Sequence, residues 1–283
     1  MNIRPSPIAG TWYPGNPKTL TNAVDAFLNA ATIPGETVPP ADVVGLLVPH
    51  AGHRYSGAVA AHAFRAVQGL AVDLVAITCP SHYHADGPVL TSAHEAYVTP
   101  LGTVAVDRPA VERLRASLAQ ALHMPPEYAL VEIREDREHA IEIELPFLQR
   151  ALAPGFRLLP IMLRDQAEPV THALGAALAE AMRGQRALVI ASSDLSHHYP
   201  DSLARQLDSA MLRQVAAFDP EGVLAVNASG EGQACGYGVI AATLEAARSL
   251  GASRARVVRQ ATSADVSGDY DRVVGYGAAV LLK

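Results

Sequence analysis

Six runs rich in Val, Ile and Leu are spaced along the chain and predict the strands of a sheet. They cover positions 43–48, 74–78, 158–163, 187–191, 257–260 and 273–282. Strict alternation of apolar and polar residues, which is typical of a sheet with one face in water, is missing from these runs. They therefore predict strands that are buried on both faces.

Helical patterns lie between these runs, and such alternation of strand and helix is typical of an α/β protein. The patterns cover positions 17–31, 57–67, 109–121, 137–152, 168–182, 201–218 and 237–249. We expect an αβα sandwich around a mostly parallel or mixed sheet, with a single domain covering residues 1–283. The Pro- and Gly-rich stretch at 34–40 looks like a linker, but the 33 residues before it are too few to form a domain.

Composition and charge exclude several classes of protein. Of the 283 residues, 49% are hydrophobic and 18% are charged, as in an ordinary globular protein. The net charge is −6 and no Lys/Arg-rich stretch occurs, so we expect neither a nucleic-acid partner nor an anionic membrane surface. The N-terminus lacks the apolar core of a signal peptide, and no apolar run reaches the roughly 18 residues of a membrane span. We therefore expect a cytoplasmic protein, and with only two cysteines we expect no structural disulfide.

Two histidines directly follow predicted strands. His50 comes after Pro49 at the end of the first run, and His82 comes after Pro80-Ser81 at the end of the second. In open α/β sheets ligands gather beyond the carboxyl ends of the strands, so we expect the two imidazoles to face each other as metal ligands. A lone histidine at a strand end is more often a hydrogen-bonded structural residue. It is the pair that favours a metal site.

Cys235 is the third candidate ligand. It lies in the Gly-rich segment 230–238, directly before a predicted helix, whose N-terminus would favour the thiolate. The alternative is a small residue needed for tight packing. With His50 and His82 it would leave a divalent ion one open position, as in catalytic sites, and this donor set fits Fe(II), copper or zinc better than magnesium or calcium.

Four further residues are candidates for proton transfer, namely Asp194, His197, His139 and Glu142. Asp194 follows a predicted strand and could orient an imidazole or bind the metal, while His197 could be the acid/base group. His139 and Glu142 share a helix face with Glu138, which could point a charged set into the site. The alternatives are helix capping by Asp194 and ordinary solvated charge for the glutamates.

Several segments together resemble the Memo family, known in bacteria and archaea as protein B of the AmmeMemoRadiSam system, over nearly the whole chain. They are Ala9-Gly10-Thr11-Trp12-Tyr13-Pro14, Pro49-His50-Ala51-Gly52 with Tyr55-Ser56-Gly57, Pro80-Ser81-His82, Glu138-His139-Ala140-Ile141-Glu142, Ser192-Ser193-Asp194-Leu195-Ser196-His197, Ala234-Cys235-Gly236, and Ser267-Gly268-Asp269 with Val274-Gly275-Tyr276. The resemblance implies the fold of class III extradiol dioxygenase catalytic subunits, which hold non-haem Fe(II) with two histidines and a glutamate. It also implies radical SAM and AMMECR-type proteins as candidate partners.

On that resemblance His50 and His82 match the two imidazole ligands, and Cys235 stands where the dioxygenases have their carboxylate. A thiolate changes the electronics of the metal and can itself be oxidised. The chain also departs from the family pattern at His53, where a tyrosine is common after the His-Ala-Gly segment. This histidine could alter the polarity of the pocket or add a titrating group.

Four functions remain open from the sequence. The first is an oxidoreductase that uses Fe(II) or copper, acts on a small molecule and moves protons through Asp194 and His197. The second is a non-catalytic scaffold that binds a metal or a peptide in a dioxygenase-like cleft lined by Trp12, Tyr13 and Tyr55.

The other two functions do not need a redox metal. One is a zinc hydrolase with Glu142 or His197 as the base, although the His-Glu-x-x-His pattern of many zinc hydrolases is missing. The other is an enzyme in which Cys235 attacks the substrate and a histidine acts as the base.

Overall fold

The computed structural model describes residues 2–283 and shows an αβα sandwich with a nine-stranded mixed sheet at its centre. The strands in the described residues are β1 (Ile3–Arg4), β2 (Val43–Val48), β3 (Leu74–Pro80), β4 (Val89–Ser92), β5 (Ala96–Thr99), β6 (Gly102–Ala105), β7 (Val131–Ile133), β8 (Arg157–Leu163), β9 (Ala187–Ser192), β10 (His197–Tyr199), β11 (Arg254–Thr262) and β12 (Val273–Leu282).

The large sheet has the strand order β10-β12-β2-β9-β3-β8-β4-β7, and β11 also pairs with β12. Its four central strands, β2, β9, β3 and β8, are parallel to one another. Strand β12 is antiparallel to β2, and β4 is antiparallel to β8. A separate three-stranded sheet has the order β1-β5-β6. The prediction of a mostly parallel or mixed sheet is confirmed.

Helices cover the sheet in two groups. They are α1 (Pro17–Ala30), α2 (His53–Arg65), α3 (Arg108–Leu122), α4 (Pro126–Ala129), α5 (His139–Glu142), α6 (Leu145–Ala151), α7 (Glu168–Met182), α8 (Asp201–Ala216), α9 (Pro220–Ala228), α10 (Tyr237–Ser249) and α11 (Ala264–Ser267). Helices α1, α2 and α6 pack on one another, and α2 contacts β2 and β12. Helices α3, α7, α10, α9 and α8 form the second group, in which each helix contacts the next.

All six predicted strands are present, but one of them, β11, is less buried than the apolar runs predict. Every residue of β2 and β3 is buried, as the unbroken apolar runs predict. Strand β11 is only partly buried, because it lies at the edge of the sheet and pairs with β12 alone. The expectation that this run is buried on both faces is therefore wrong.

The predicted helix at 137–152 is two short helices, α5 and α6, with a break between Glu142 and Leu145. Pro146 is the second residue of α6. A proline lacks the amide hydrogen that a continuous helix would need, and its ring clashes with the carbonyl four residues earlier. Glu138 is the N-cap residue of α5 and Glu142 is its last residue, and their carboxylates have different partners although their spacing predicts a shared helix face.

Candidate functional site

Three neighbouring parallel strands end at the same edge of the large sheet and bring distant residues together. Strand β9 lies between β2 and β3, and Val48 of β2 is in register with Ser192 of β9. The segments that follow these strands carry His50, Asp194 and His82. The backbone N–H of His50 donates to Oδ1 of Asp194 at 2.8 Å, which joins the first two segments.

The hydrogen bond at Nδ1 of His50 fixes the role of its other ring nitrogen. Nδ1 lies 3.1 Å from Oγ of Ser192. The Ser192 hydroxyl lies 2.8 Å from the carbonyl oxygen of Ala140 and 2.9 Å from Oε1 of Glu144. The carbonyl can only accept a hydrogen bond, so a lone pair of Ser192 remains for the Nδ1–H of His50. Nε2 of His50 therefore keeps its lone pair.

His82 is held in the same tautomer by Glu138. Oε1 of Glu138 lies 2.9 Å from Nδ1 of His82, and Oε2 accepts the backbone N–H of His82 at 2.8 Å. Burial opposes ionisation of Glu138, but the hydrogen bonds and charges of His82 and His139 outweigh it and lower its pKa to about 2. An ionised carboxylate takes the Nδ1–H, which leaves Nε2 of His82 free for a metal.

Cys235 lies in the turn before α10, and its Sγ is 3.4 Å from Nε2 of His50. Burial, together with the nearby Asp194 carboxyl, raises the pKa of Cys235 to about 12. Burial also lowers the pKa of His50 to about 3. Without a metal both groups are therefore neutral. The sequence analysis expects a thiolate at Cys235 because a helix N-terminus stabilises negative charge. Burial outweighs this effect of the helix dipole, so the neutral thiol is favoured when no metal is bound.

The geometry of the three candidate ligands fits a metal ion. Their ligand atoms, on His50, His82 and Cys235, all lie within 4.8 Å of one another. In a tetrahedral site with metal–sulfur and metal–nitrogen bonds of about 2.3 and 2.0 Å, two such ligand atoms are about 3.5 Å apart. The observed 3.4 Å between Cys235 and His50 is close to this value. Two imidazoles and one sulfur also suit the softer transition metals.

A cavity of about 790 Å³ is lined by two of these residues, His50 and His82. Its volume lies in the range of pockets that hold small molecules. Besides the backbone of the His-Ala-Gly segment, its lining combines imidazoles, carboxylates, arginines, aromatic rings and small polar residues: Thr11, Trp12, His50, Arg54, Tyr55, His82, His139, Asp194, His197, Ser263, Ser267, Asp269, Arg272, Val274 and Tyr276.

Asp194 and His197 both line the cavity, as their spacing along the chain predicts. Burial raises the pKa of Asp194 to about 6, although His197 and the backbone N–H of His50 favour its ionised form. Nδ1 of His197 lies 2.9 Å from the carbonyl oxygen of Leu195 and so carries its proton. Its Nε2 is then the proton acceptor of a neutral ring.

His139 is a third imidazole beside the candidate ligands. Its ring centre lies 4.5 Å from that of His82 and 5.4 Å from that of His50, and on another side it packs against Trp12. Its Nδ1 is 3.3 Å from Oε1 of Glu138. Burial, with His50 as the next largest cause, lowers the pKa of His139 to about 3, so the ring is neutral.

Glu142 does not line the cavity. Its buried carboxylate binds the guanidinium of Arg4 and the hydroxyls of Ser6 and Tyr13. This carboxylate belongs to the cluster that attaches the N-terminal strand, whereas Glu138 contacts the imidazoles.

His53 also lies outside the cavity lining. Nε2 of His53 is 2.9 Å from the carbonyl oxygen of Ile143, and the ring packs against Phe147 and Tyr13. Burial lowers its pKa to about 4. The residue therefore joins α2 to α6 and does not add a group to the cavity.

Several residues that shape the site escaped the sequence analysis. Ser192 and Glu144 orient His50, and Gln166 holds the turn of Cys235 by donating to its carbonyl oxygen at 2.8 Å. Arg272 lies on the wall of the cavity. A partial signal exists for Ser192, which ends a predicted strand next to Asp194. Gln166 and Arg272 have no such signal, because only the folded chain brings them near the other residues.

The fold and the site define an α/β protein with a histidine-lined cavity at the carboxyl ends of parallel strands and a cysteine beside one of those histidines. Comparison with known families makes this more specific: the Memo family model, described as Memo-like protein, matches residues 4–280. The chain belongs to the Memo family.

Related proteins align over nearly their full length. A MEMO1 family protein of Methanosarcina mazei is 35% identical over 283 residues, which cover 99% of this chain and 100% of the relative. The corresponding protein of Methanothermobacter thermautotrophicus is 35% identical, over 97% of this chain and 98% of its own. That of Nitrosopumilus maritimus is 32% identical over 98% of both chains. Among the residues described by the structure, no helix is long and apolar enough to cross a membrane.

Proposed function

We propose that this chain is a metal-dependent oxidoreductase that holds Fe(II) or copper through His50, His82 and Cys235 and acts on a small molecule in the cavity. The observation that carries the proposal is the grouping of two imidazoles and one sulfur, whose ligand atoms lie within 4.8 Å of one another, with Nε2 of His50 at 3.4 Å from Sγ of Cys235. Ser192 and Glu138 each occupy the Nδ1–H of one ring, as outer hydrogen-bond partners commonly do in metal sites. A redox-active ion would supply a centre that exchanges electrons with dioxygen.

The residues of the chain would have separate tasks in this reaction. Asp194 and His197 lie on the cavity wall, and Asp194, whose pKa burial raises to about 6, can hold or release a proton near neutral pH. His139, a neutral imidazole beside both histidine ligands, is a third candidate for proton transfer. Glu142 contributes indirectly, since its bonds to Arg4 and Tyr13 fix the segment that carries Glu138 and His139.

The metal content of the protein tests this proposal. We expect iron or copper near one ion per chain in protein purified without oxygen and without an affinity tag, measured by elemental mass spectrometry. Cys235→Ser and His82→Ala should lose most of that metal while circular dichroism stays unchanged. Cys79→Ala is the matched control, because Cys79 is a buried free cysteine outside the ligand set and should leave metal content intact. Equal iron and copper contents in wild type and Cys235→Ser would refute the proposal.

A second candidate function is a metal- or peptide-binding scaffold without catalysis. Trp12 and Tyr55 favour it, since both line the cavity and remain 38% exposed. Exposed aromatic residues around a cleft are common in sites that recognise peptides. Oxygen consumption by the metal-loaded protein with an electron donor would separate the two functions, because a scaffold consumes none above the free metal.

The two remaining alternatives have less support. A zinc hydrolase could use His197 as the base, but Glu142 is bound to Arg4 away from the cavity. A cysteine nucleophile needs a thiolate, and burial raises the pKa of Cys235 to about 12.

The setting of the protein is part of the same proposal. Both cysteines are free, which suits a reducing compartment such as the cytoplasm. Radical SAM and AMMECR-type proteins are the proposed partners.

A further inference from the structure

A second group of metal-ligating side chains lies on helices α7, α9 and α10 and shares no residue with the cavity. His172 of α7 is at its centre, with Glu168 one turn before it on the same helix. Glu221 of α9 and Glu245 of α10 approach the same ring from neighbouring helices. Three carboxylates from three helices therefore surround one half-exposed imidazole.

The two nitrogens of His172 have different partners. Nδ1 is bound by the carboxylate of Glu245, which is 20% exposed. Gly175 lies one turn further along α7, and a Cβ there would collide with that carboxylate. The glycine therefore gives Glu245 the room to bind Nδ1. A carboxylate on the far nitrogen of an imidazole is the arrangement that orients histidine ligands in zinc proteins.

Nε2 of His172 faces the other two carboxylates, and the nearer of them lies at a separation that suits a shared metal ion. Oε1 of Glu221 lies 3.3 Å from it, and Oε1 of Glu168 lies 3.7 Å from it. Good N–H···O hydrogen bonds are shorter, at about 2.7–3.2 Å. Two ligand atoms on a tetrahedral zinc ion are about 3.3–3.5 Å apart, given metal–ligand bonds of about 2.0–2.2 Å.

We propose that Nε2 of His172 and the carboxylates of Glu168 and Glu221 form a second site for a divalent transition-metal ion of the zinc type, with Glu245 orienting the imidazole. Both glutamates also line a surface groove of about 300 Å³, which leaves space for water on the remaining coordination positions. The imidazole selects against magnesium and calcium, which prefer ligand sets made only of oxygen. The inference does not depend on the function proposed for the cavity.

Zinc binding is compared between the Cys235→Ser variant and the same variant with changes at the second site, so that any zinc held near the cavity by His82, Glu138 and His139 is common to both. We expect one Zn²⁺ per chain at the second site in competition with a chromophoric chelator. Added His172→Ala or Glu221→Gln should abolish this binding. The matched control is His62→Ala, since His62 is also a half-buried helix histidine but its Nδ1 contacts only a backbone carbonyl. It should leave zinc binding unchanged.

The Glu245→Gln variant tests whether Glu245 orients the imidazole of His172 or only attracts the metal ion through its negative charge. It should weaken Zn²⁺ binding by roughly 10- to 100-fold. Cobalt(II) in the Cys235→Ser background should show ligand-field bands without a thiolate charge-transfer band, which identifies a nitrogen and oxygen donor set. Zinc affinity that is the same with and without His172, in chains that fold equally well, would overturn the proposal.

Discussion

Glu138 is a single carboxylate that organises two imidazoles. Its oxygens contact Nδ1 and the backbone N–H of His82, the backbone N–H of Ala140 and Nδ1 of His139. These contacts hold its pKa at about 2 despite burial, so it is ionised at neutral pH. The orientation of His82 therefore depends on this negative charge.

Replacing Glu138 with glutamine should weaken metal binding without removing a proposed ligand. Glutamine keeps the shape of the side chain but loses the charge that fixes the His82 tautomer. We expect Kd for the metal to rise by roughly 10- to 100-fold, measured by anaerobic chelator competition. Glu135→Gln is the control, since its carboxylate is 89% exposed on the same segment. Similar affinities for both variants would contradict the role given to Glu138.

Asp208 gives a prediction about stability and pH. Burial raises its pKa from 3.8 to about 6, and Oδ1 accepts the backbone N–H of Ser196. The folded chain therefore holds a proton that the unfolded chain releases between about pH 4 and 6. The stabilisation from this proton is complete below pH 4 and is lost as the pH rises through 6.

The Asp208→Asn variant should remove this dependence. In denaturant titrations from pH 4 to 7, the free energy of unfolding of wild type should fall relative to that of the variant by about 2–3 kcal/mol. The difference between the two curves reports the titration of Asp208 together with its electrostatic coupling to Asp194. Parallel curves would show that the pKa of Asp208 is not raised.

The sequence predicted which residues come together at the candidate site, but it did not predict which of them carry a proton. His50, His82 and Cys235 could be predicted to converge because each ends or begins an element at the same edge of the sheet. The protonation states of these residues depend on side-chain rotamers and burial. The sequence around each residue does not indicate either of them. The neutral thiol of Cys235 is the clearest example. That the three residues hold a metal remains a prediction.

At the level of elements, long apolar runs were predictable and short segments were not. Strands β2, β3, β8, β9 and β12 followed from composition alone. The two-residue strand β1 exists only because Ile3 and Arg4 find partners in β5, nearly a hundred positions away. Helix α9 was also missed, although Pro220 at its first position is a common helix start.

Arg4 connects the N-terminal strand to the segment that carries the site. Its side chain is fully buried, with Nε 2.9 Å from Oδ2 of Asp136, a further ion pair to Glu142 and a hydrogen bond to the carbonyl oxygen of Glu138. The guanidinium also lies over the ring of Tyr97, at 4.6 Å from its centre. One residue thus joins the small sheet to α5.

We expect Arg4→Met to lower the free energy of unfolding by about 3–5 kcal/mol, because it leaves two buried carboxylates without their partner. Arg4→Lys keeps the charge but cannot bind three groups in a plane, so its loss should be smaller. Urea denaturation of both variants measures the effect. A loss below about 1 kcal/mol for Arg4→Met would show that the cluster is not coupled to folding.

That residues 1–283 form one domain remains a prediction. The cooperativity of the same urea denaturation curves tests it, because a single domain should unfold in one transition.

The positions of the candidate ligands along the chain have a consequence for how the protein could be monitored. His50 and Cys235 lie 185 positions apart, and their side chains meet only when β2, β9 and β3 are in their native order. An ion held there would bind the native chain and not the unfolded one, and so would raise the unfolding free energy with its own concentration. Retention of such an ion would then report that the centre of the sheet is intact, even in variants whose activity is unknown.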